Sequence, residues 1–148
     1  MRIEIDQSGK VEYTNKPTVV AYSNGRQKSI LIESKDKIEI EKIFRKAGKG
    51  QVFIYKLFAV LIFLLIKSDL KKDFQIFIDR EYSGKEEIIK NTLKKCVIRA
   101  GKELEMKDVH FLLVGNKSGS HKRAIEVYRK RIKPDLKVKF RDVIDYLL

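Results

Sequence analysis

The stretch FQIFIDREYSG (residues 74–84) predicts a β-strand that ends on a carboxylate, Asp79. Apolar and other side chains alternate along it with the period of two that a strand requires. Phe74, Ile76 and Ile78 share one face, which leaves Gln75, Phe77 and Asp79 on the other. A serine and a glycine follow, so the strand ends in a turn.

The N-terminus repeats this pattern. The stretch RIEIDQSG (residues 2–9) alternates in the same way and closes on Asp6. If the two strands are adjacent and parallel, both acids lie at carboxyl-terminal strand ends about 4.8 Å apart, where open sheets bind ligands. Two such carboxylates repel one another unless a cation lies between them. Asp6 and Asp79 are therefore candidate metal ligands, and the alternative is that each only caps a turn.

The remaining patterns predict strands and helices in an α/β order. Alternation of the two types predicts a mixed sheet with helices on both faces. The patterns are a hairpin around Asn24-Gly25 (residues 18–33), a polar, partly helical segment (34–51), an apolar helix (52–66), a helix that Ser83 and Glu86 cap (83–100), an interior strand (109–114), a helix (121–132) that Pro134 ends, and a strand and helix extension (134–148).

The composition suits one basic globular domain. The chain of 148 residues has room for one domain with a hydrophobic core, which we place at residues 1–148 with its central part at about 2–131. Its 33 Lys and Arg against 20 Asp and Glu give a net charge of +13. Such an excess favours a polyanionic partner, most often nucleic acid and less often an anionic membrane surface.

Two features predict a cytoplasmic location without membrane insertion. The single cysteine, Cys96, cannot form an internal disulfide, and no apolar segment typical of a signal peptide follows Met1. The most apolar run, LFAVLIFLLI (residues 57–66), has ten residues, whereas a helix needs about 20 to cross a bilayer.

Taken in order, these stretches resemble a ribonuclease H-like domain. The first strand with Asp6, the hairpin, the apolar helix, the strand IFID with the Asp-x-x-Tyr turn after it, and the stretch FLLVGNKSGSHKRAIEV (111–127) carry the resemblance. It implies a mixed five-stranded sheet in which the first three strands are antiparallel and the later ones parallel. It also implies that Asp6 and Asp79 hold two Mg²⁺ or Mn²⁺ ions that serve phosphodiester hydrolysis.

The sequence does not identify the other ligands of such a site. The family usually adds a glutamate from the first helix, but residues 52–66 contain no acid, and Glu39 or Glu41 would substitute only if that helix began earlier. The position after Ala124, where the family's last acid usually stands, is Ile125. The remaining candidates for a catalytic role are Glu81, Glu126 and His121.

The segment 115–141 carries ten Lys and Arg against two acids, Glu126 and Asp135. A helix face that is only solvated typically carries both positive and negative side chains. A segment whose charges are mostly positive therefore favours contact with phosphates. The candidate nucleic-acid-binding residues are Lys117, Lys122, Arg123, Arg129, Lys130 and Lys133.

Two functions are compatible with these patterns. The first is a divalent-metal-dependent nuclease that acts on RNA, an RNA–DNA hybrid or structured DNA. The alternative is a non-catalytic nucleic-acid-binding or scaffold protein with a degenerate ribonuclease H-like site.

Overall fold

The computed structural model describes residues 1–115 and 118–147. Within them the chain forms six strands and five helices, with short 3-10 turns at Gly50–Val52 and Met106–Asp108. In chain order the elements are β1 (Arg2–Ser8), β2 (Thr18–Ser23), β3 (Gln27–Ile32), α1 (Ser34–Lys46), α2 (Phe53–Ile66), β4 (Gln75–Asp79), α3 (Glu86–Arg99), β5 (Val109–Leu112), α4 (Gly119–Tyr128), β6 (Leu136–Val138) and α5 (Phe140–Leu147).

The strands form one mixed sheet in the order β5-β4-β1-β2-β3-β6. β2 is antiparallel to β1 and to β3, whereas β4 is parallel to β1 and to β5. The sheet has six strands and not the predicted five, because β6 adds to the edge of β3 in parallel. Asp135, just before β6, fixes this addition: its carboxylate accepts a hydrogen bond of 2.8 Å from the backbone N–H of Ser29 on β3.

The helices lie on both faces of the sheet, in unequal number. α2 packs against α3, α5, β2 and β3, and its almost wholly apolar side chains are buried between the sheet and the other helices. The main core joins these side chains to Ile3, Ile5, Ile76 and Ile78. On the opposite face α4 covers β1, β2 and β3, and Ala124 and Val127 pack on Val19 and Ala21.

Two features differ from the sequence predictions. β5 is an edge strand and not an interior one, so the apolar run that contains it leaves Leu113 82% exposed. Ser83 does not cap α3; the Glu86 carboxylate accepts the hydrogen bond of the Gly84 N–H, and the helix begins at Glu86. The polar segment after β3 is partly helical, as predicted, and its helical part is the 13-residue helix α1.

No helix within the described ranges combines the length and the apolarity that crossing a bilayer requires.

Candidate metal centre

The register of β1 on β4 brings two aspartates together. Ile5 lies opposite Ile78, and the next residue of each strand is Asp6 and Asp79 respectively. Because side chains alternate across a sheet, burial of the two isoleucines under the helices directs both aspartates to the face that carries α4. Asp79 is the last residue of β4, and Asp6 lies near the carboxyl-terminal end of β1, directly after its last pair with β4.

A third acid joins them because the chain turns back after Asp79. The N–H of Arg80 donates to the carbonyl of Leu112, and the N–H of Glu81 donates to the Asp79 carbonyl at 2.9 Å. As a result, one carboxylate oxygen each of Asp6, Asp79 and Glu81 lies within 4.8 Å of the others. We call these three residues the carboxylate cluster.

His121 reaches the cluster from the start of α4. Ser118 caps this helix by accepting a hydrogen bond from the Ser120 N–H, and its hydroxyl donates to Glu4 of β1 at 3.0 Å. This contact holds the first turn of α4 over β1. It positions His121 so that its Nδ1 lies 2.7 Å from Oδ2 of Asp6.

Backbone N–H groups hold two of the carboxylates in place. Gln7 donates to Oδ1 of Asp6 at 2.8 Å, and Val114 donates to Oδ1 of Asp79 at 2.9 Å. An ionised carboxylate has about four lone-pair sites, so these bonds leave further sites to coordinate a cation.

Burial and mutual repulsion make the cluster electrostatically unfavourable when it is fully ionised. Burial raises the pKa of Asp6, and the charge of Asp79 raises it further, whereas the hydrogen bond from His121 opposes this. Burial and a hydrogen bond with Asp79 likewise raise the pKa of Glu81, while Lys10, whose Nζ is 3.6 Å from the Glu81 carboxylate, lowers it. A cation bound among the three acids would remove this repulsion.

The cluster is accessible from solvent. It lines a cleft of about 360 Å³ together with His121, Gln7, Leu113 and Gly115. Asp6 lies at the bottom with 5% of its surface exposed, and Asp79 and Glu81 are half-buried. A substrate group can therefore reach the acids without any rearrangement of the core.

The donor set fits a hard divalent cation. Mg²⁺ and Mn²⁺ prefer carboxylate oxygens and keep several waters, whereas zinc and copper sites favour thiolates and several imidazoles. No cysteine lies in the cleft, and His121 is its one imidazole among the described residues. Asp6, Asp79 and Glu81 would hold such an ion.

Of the predicted site residues, the structure brings four together and leaves one apart. Asp6, Asp79, Glu81 and His121 all line the cleft. Glu126 is half-buried on α4 and is not a member of the cluster. The open alternatives Glu39 and Glu41 belong to α1, where Glu41 pairs with Arg45 at 3.5 Å.

A hydrogen-bonded network behind the cluster was missed from the sequence. The Tyr82 hydroxyl accepts from Nε2 of Gln7 and donates to the Glu12 carboxylate, each at 2.9 Å. It thereby ties the turn after Asp79 to the end of β1 and to the loop that follows. In the sequence, only the tyrosine of the Asp-x-x-Tyr turn could have indicated this network. Its hydrogen-bond partners could not be identified because they lie 75 and 70 residues away in the chain.

The basic residues of the segment 115–141 do not all lie on α4. α4 ends at Tyr128, Arg129 is its C-terminal cap and Lys130 adopts a left-handed backbone with φ of 62°. Lys122, Arg129, Lys130 and Lys133 are all exposed. Arg123 is half-buried and donates to the Gln27 carbonyl at 3.4 Å, and Lys117 lies outside the described residues.

No family model matches this chain, and no curated protein sequence matches it. Its function is therefore inferred from the chemistry of the carboxylate cluster and of the charges around it.

Proposed function

We propose that the protein is a divalent-metal-dependent nuclease that hydrolyses phosphodiester bonds in RNA, an RNA–DNA hybrid or structured DNA. The observation that carries the proposal is the convergence of Asp6, Asp79 and Glu81 within 4.8 Å in one open cleft. Three acids at this separation are costly to ionise, so their presence in one cleft favours a site that binds a cation.

The arrangement of the strands supports a ribonuclease H-like domain as the scaffold. The first three strands pair antiparallel, and β4 and β5 pair parallel to β1 and to one another. The fourth strand ends on Asp79, Asp6 lies near the end of the first strand, and a helix on the opposite face from the main helical layer follows β5. This is the order that the sequence resemblance implies, with β6 as an additional edge strand.

When bound, Mg²⁺ or Mn²⁺ would polarise the phosphodiester and lower the pKa of a coordinated water. The chain's own residues would perform three tasks. Asp6, Asp79 and Glu81 supply the ligand oxygens. His121, because its Nδ1–H donates to Asp6, has Nε2 left as the atom that accepts or donates a proton near the cleft. The exposed lysines and arginines after α4 attract the phosphate backbone.

Substitution of the aspartates tests this function. Asp6→Asn and Asp79→Asn should each abolish Mg²⁺- or Mn²⁺-dependent cleavage of labelled RNA, hybrid and DNA-junction substrates. Binding of the same substrates, measured by fluorescence anisotropy in EDTA, should stay nearly unchanged because the basic residues are intact. Cleavage that survives both substitutions would exclude the carboxylate cluster as the active site.

A second function, a non-catalytic nucleic-acid-binding or scaffold protein, is favoured by one observation. Within the described residues, neither α2 nor α4 contributes a carboxylate to the cluster. The two functions differ in their response to metal, because a ligand that binds only the folded state must raise the melting temperature. If added Mn²⁺ leaves the melting temperature unchanged while nucleic acid still binds, the protein is a binding protein.

A further inference from the structure

A cleft lined by three lysines lies between the start of α2 and one face of α3. Its volume is about 380 Å³, and Lys49, Lys56 and Lys95 line it. No acidic side chain lines it among the described residues. It lies in the main helical layer, on the opposite face of the sheet from α4. We call it the lysine cleft.

The other walls provide apolar surface and a few polar atoms. Ile88, Asn91, Thr92 and Lys95 follow one another on a single face of α3 at the helical spacing, and Val52 faces them from the turn before α2. The Thr92 hydroxyl donates to the Ile88 carbonyl at 2.9 Å, so its oxygen keeps lone pairs. The side-chain amide of Asn91 adds donors and an acceptor.

Lys49 and Lys95 are close enough to Lys56 to disfavour its charged form. Burial, and then the positive charges of Lys49 and Lys95, lowers the pKa of Lys56. None of the three forms an ion pair with a described residue. By contrast, Lys28 on the same side of the sheet is paired with Asp69 at 3.0 Å. A solvated lysine face is common, but these three lysines line one cleft and form no ion pair with a described residue, so an anionic ligand fits the cleft.

The lysine cleft opens near the same edge of the sheet as the candidate metal centre. The ring of Tyr55, in the first turn of α2, contacts the ring of Tyr82 at a centroid distance of 5.5 Å. Tyr82 belongs to the turn that carries Glu81, and Nζ of Lys85 lies 5.7 Å from the Tyr55 centroid. A chain of contacts thus joins the two sites, and Lys85 adds a further cation beside Tyr55.

We propose that the lysine cleft binds backbone phosphates of the nucleic acid whose scissile bond lies at the carboxylate cluster. The inference rests on the proposed function for the identity of the ligand. A substrate held there would contact the protein on both faces of the sheet, at the lysine cleft and at the basic residues after α4. The contact is to phosphate and carries no base specificity.

A triple variant, Lys49→Gln, Lys56→Gln and Lys95→Gln, tests this site. The matched control is Lys42→Gln, Lys94→Gln and Lys102→Gln, which removes three exposed lysines that do not line the cleft. Affinity for labelled RNA, DNA and hybrid duplexes is measured by anisotropy in EDTA across a range of salt concentrations. The cleft variant should bind about tenfold or more weakly, with a salt-dependence slope smaller by about 2–3, since each phosphate contact contributes about one unit.

Every outcome decides the question. Equal losses of affinity and slope in the two triple variants would overturn the proposal, because net charge alone would then explain them. The proposal would also be overturned if the wild type bound none of the duplexes. A third contrary result would be that pyrophosphate shifts the amide resonances of Val52 and Thr92 while the substitutions leave duplex binding unaffected. Because these measurements use no metal, they are independent of the Mn²⁺ and cleavage assays, so failure of the cleft and failure of the nuclease are distinguishable.

Discussion

Nδ1 of His121 lies 2.7 Å from Oδ2 of Asp6, although 115 residues separate them in the chain. The contact joins the first turn of α4 to the end of β1 and sets the imidazole beside the carboxylate cluster. Since an ionised carboxylate only accepts hydrogen bonds, the proton of this bond belongs to Nδ1, and Nε2 is left as the second functional atom of the ring.

We predict different effects for two substitutions of His121. In His121→Asn the amide nitrogen can replace Nδ1 as the donor to Asp6, but the titratable Nε2 is lost. If His121 transfers a proton, His121→Asn should reduce kcat by about 10²–10⁴-fold in steady-state cleavage assays. If it only orients Asp6, this variant should keep most of the activity, and His121→Ala should lose it.

We predict that Glu81→Gln stabilises the metal-free protein at neutral pH. The pKa values of Asp6 and Glu81 are raised in the folded state, so the folded protein binds protons more tightly than the unfolded chain. Stability is then highest below the unfolded pKa values and is lost as pH rises through the folded ones. Removing one charge should relieve this loss, and thermal unfolding in EDTA should show a higher Tm at pH 7 than for the wild type.

The control for Glu81→Gln is Lys10→Gln, which removes only the ion pair between these two residues. Lys10 is 46% exposed, and exposed pairs contribute about 0–1 kcal/mol, so Tm should fall slightly or stay the same. Added Mn²⁺ should raise the Tm of Lys10→Gln and of the wild type more than that of Glu81→Gln. A lower Tm for Glu81→Gln in EDTA would contradict the repulsion within the cluster.

We predict an alkaline gain in stability that depends on Lys37. Its side chain is fully buried, and its Nζ donates to the Tyr13 carbonyl at 2.8 Å and to the Thr18 hydroxyl at 2.9 Å. Burial lowers the pKa of Lys37 from 10.5 to about 8. The unfolded chain therefore binds the proton more tightly, so the free energy of unfolding should rise as pH increases from about 8 to 10.5.

Urea unfolding at several pH values between these limits measures this effect. Lys37→Met should lose the rise, whereas Lys42→Met, which changes an exposed lysine of the same helix, should retain it. A wild-type free energy of unfolding that falls over this interval in parallel with that of Lys37→Met would show that the amine is charged throughout.

We predict that Gly9→Ala is far more destabilising than Gly48→Ala. Both glycines have a positive φ, 69° and 71°, which costs a non-glycine residue about 1–2 kcal/mol. At Gly9, however, an added Cβ would overlap the Pro17 carbonyl and the Tyr128 ring, whereas at Gly48 it meets open space. Gly9→Ala should therefore cost about 3 kcal/mol or more in urea unfolding, because backbone strain and overlap add.

Gly9 follows directly on β1, and Tyr128 is the last residue of α4, so this contact also supports the position of α4 over the sheet. If the two alanine variants were equally stable, the close packing of Gly9 against Tyr128 would be wrong.

The sequence by itself determined the local elements and two of the acids. β1 and β4 were readable because a period of two is a property of consecutive residues, and Asp6 and Asp79 follow from where each pattern ends. The apolar helix α2 was readable because its apolar residues are consecutive in the chain. The net charge of +13 likewise needs no structure.

Only the tertiary structure decided which side chains meet and which elements lie at an edge. A backbone turn brings Glu81 to the cluster, a helix cap positions His121, and strand register places the partners of Tyr82. None of these three depends on neighbouring residues alone. The lysine cleft arises where two helices from different parts of the chain pack together. The fifth strand was expected inside the sheet because apolar composition indicates burial but does not indicate which strands lie on either side. The sixth strand pairs with β3, where Asp135 accepts a hydrogen bond from Ser29, 106 residues away in the chain.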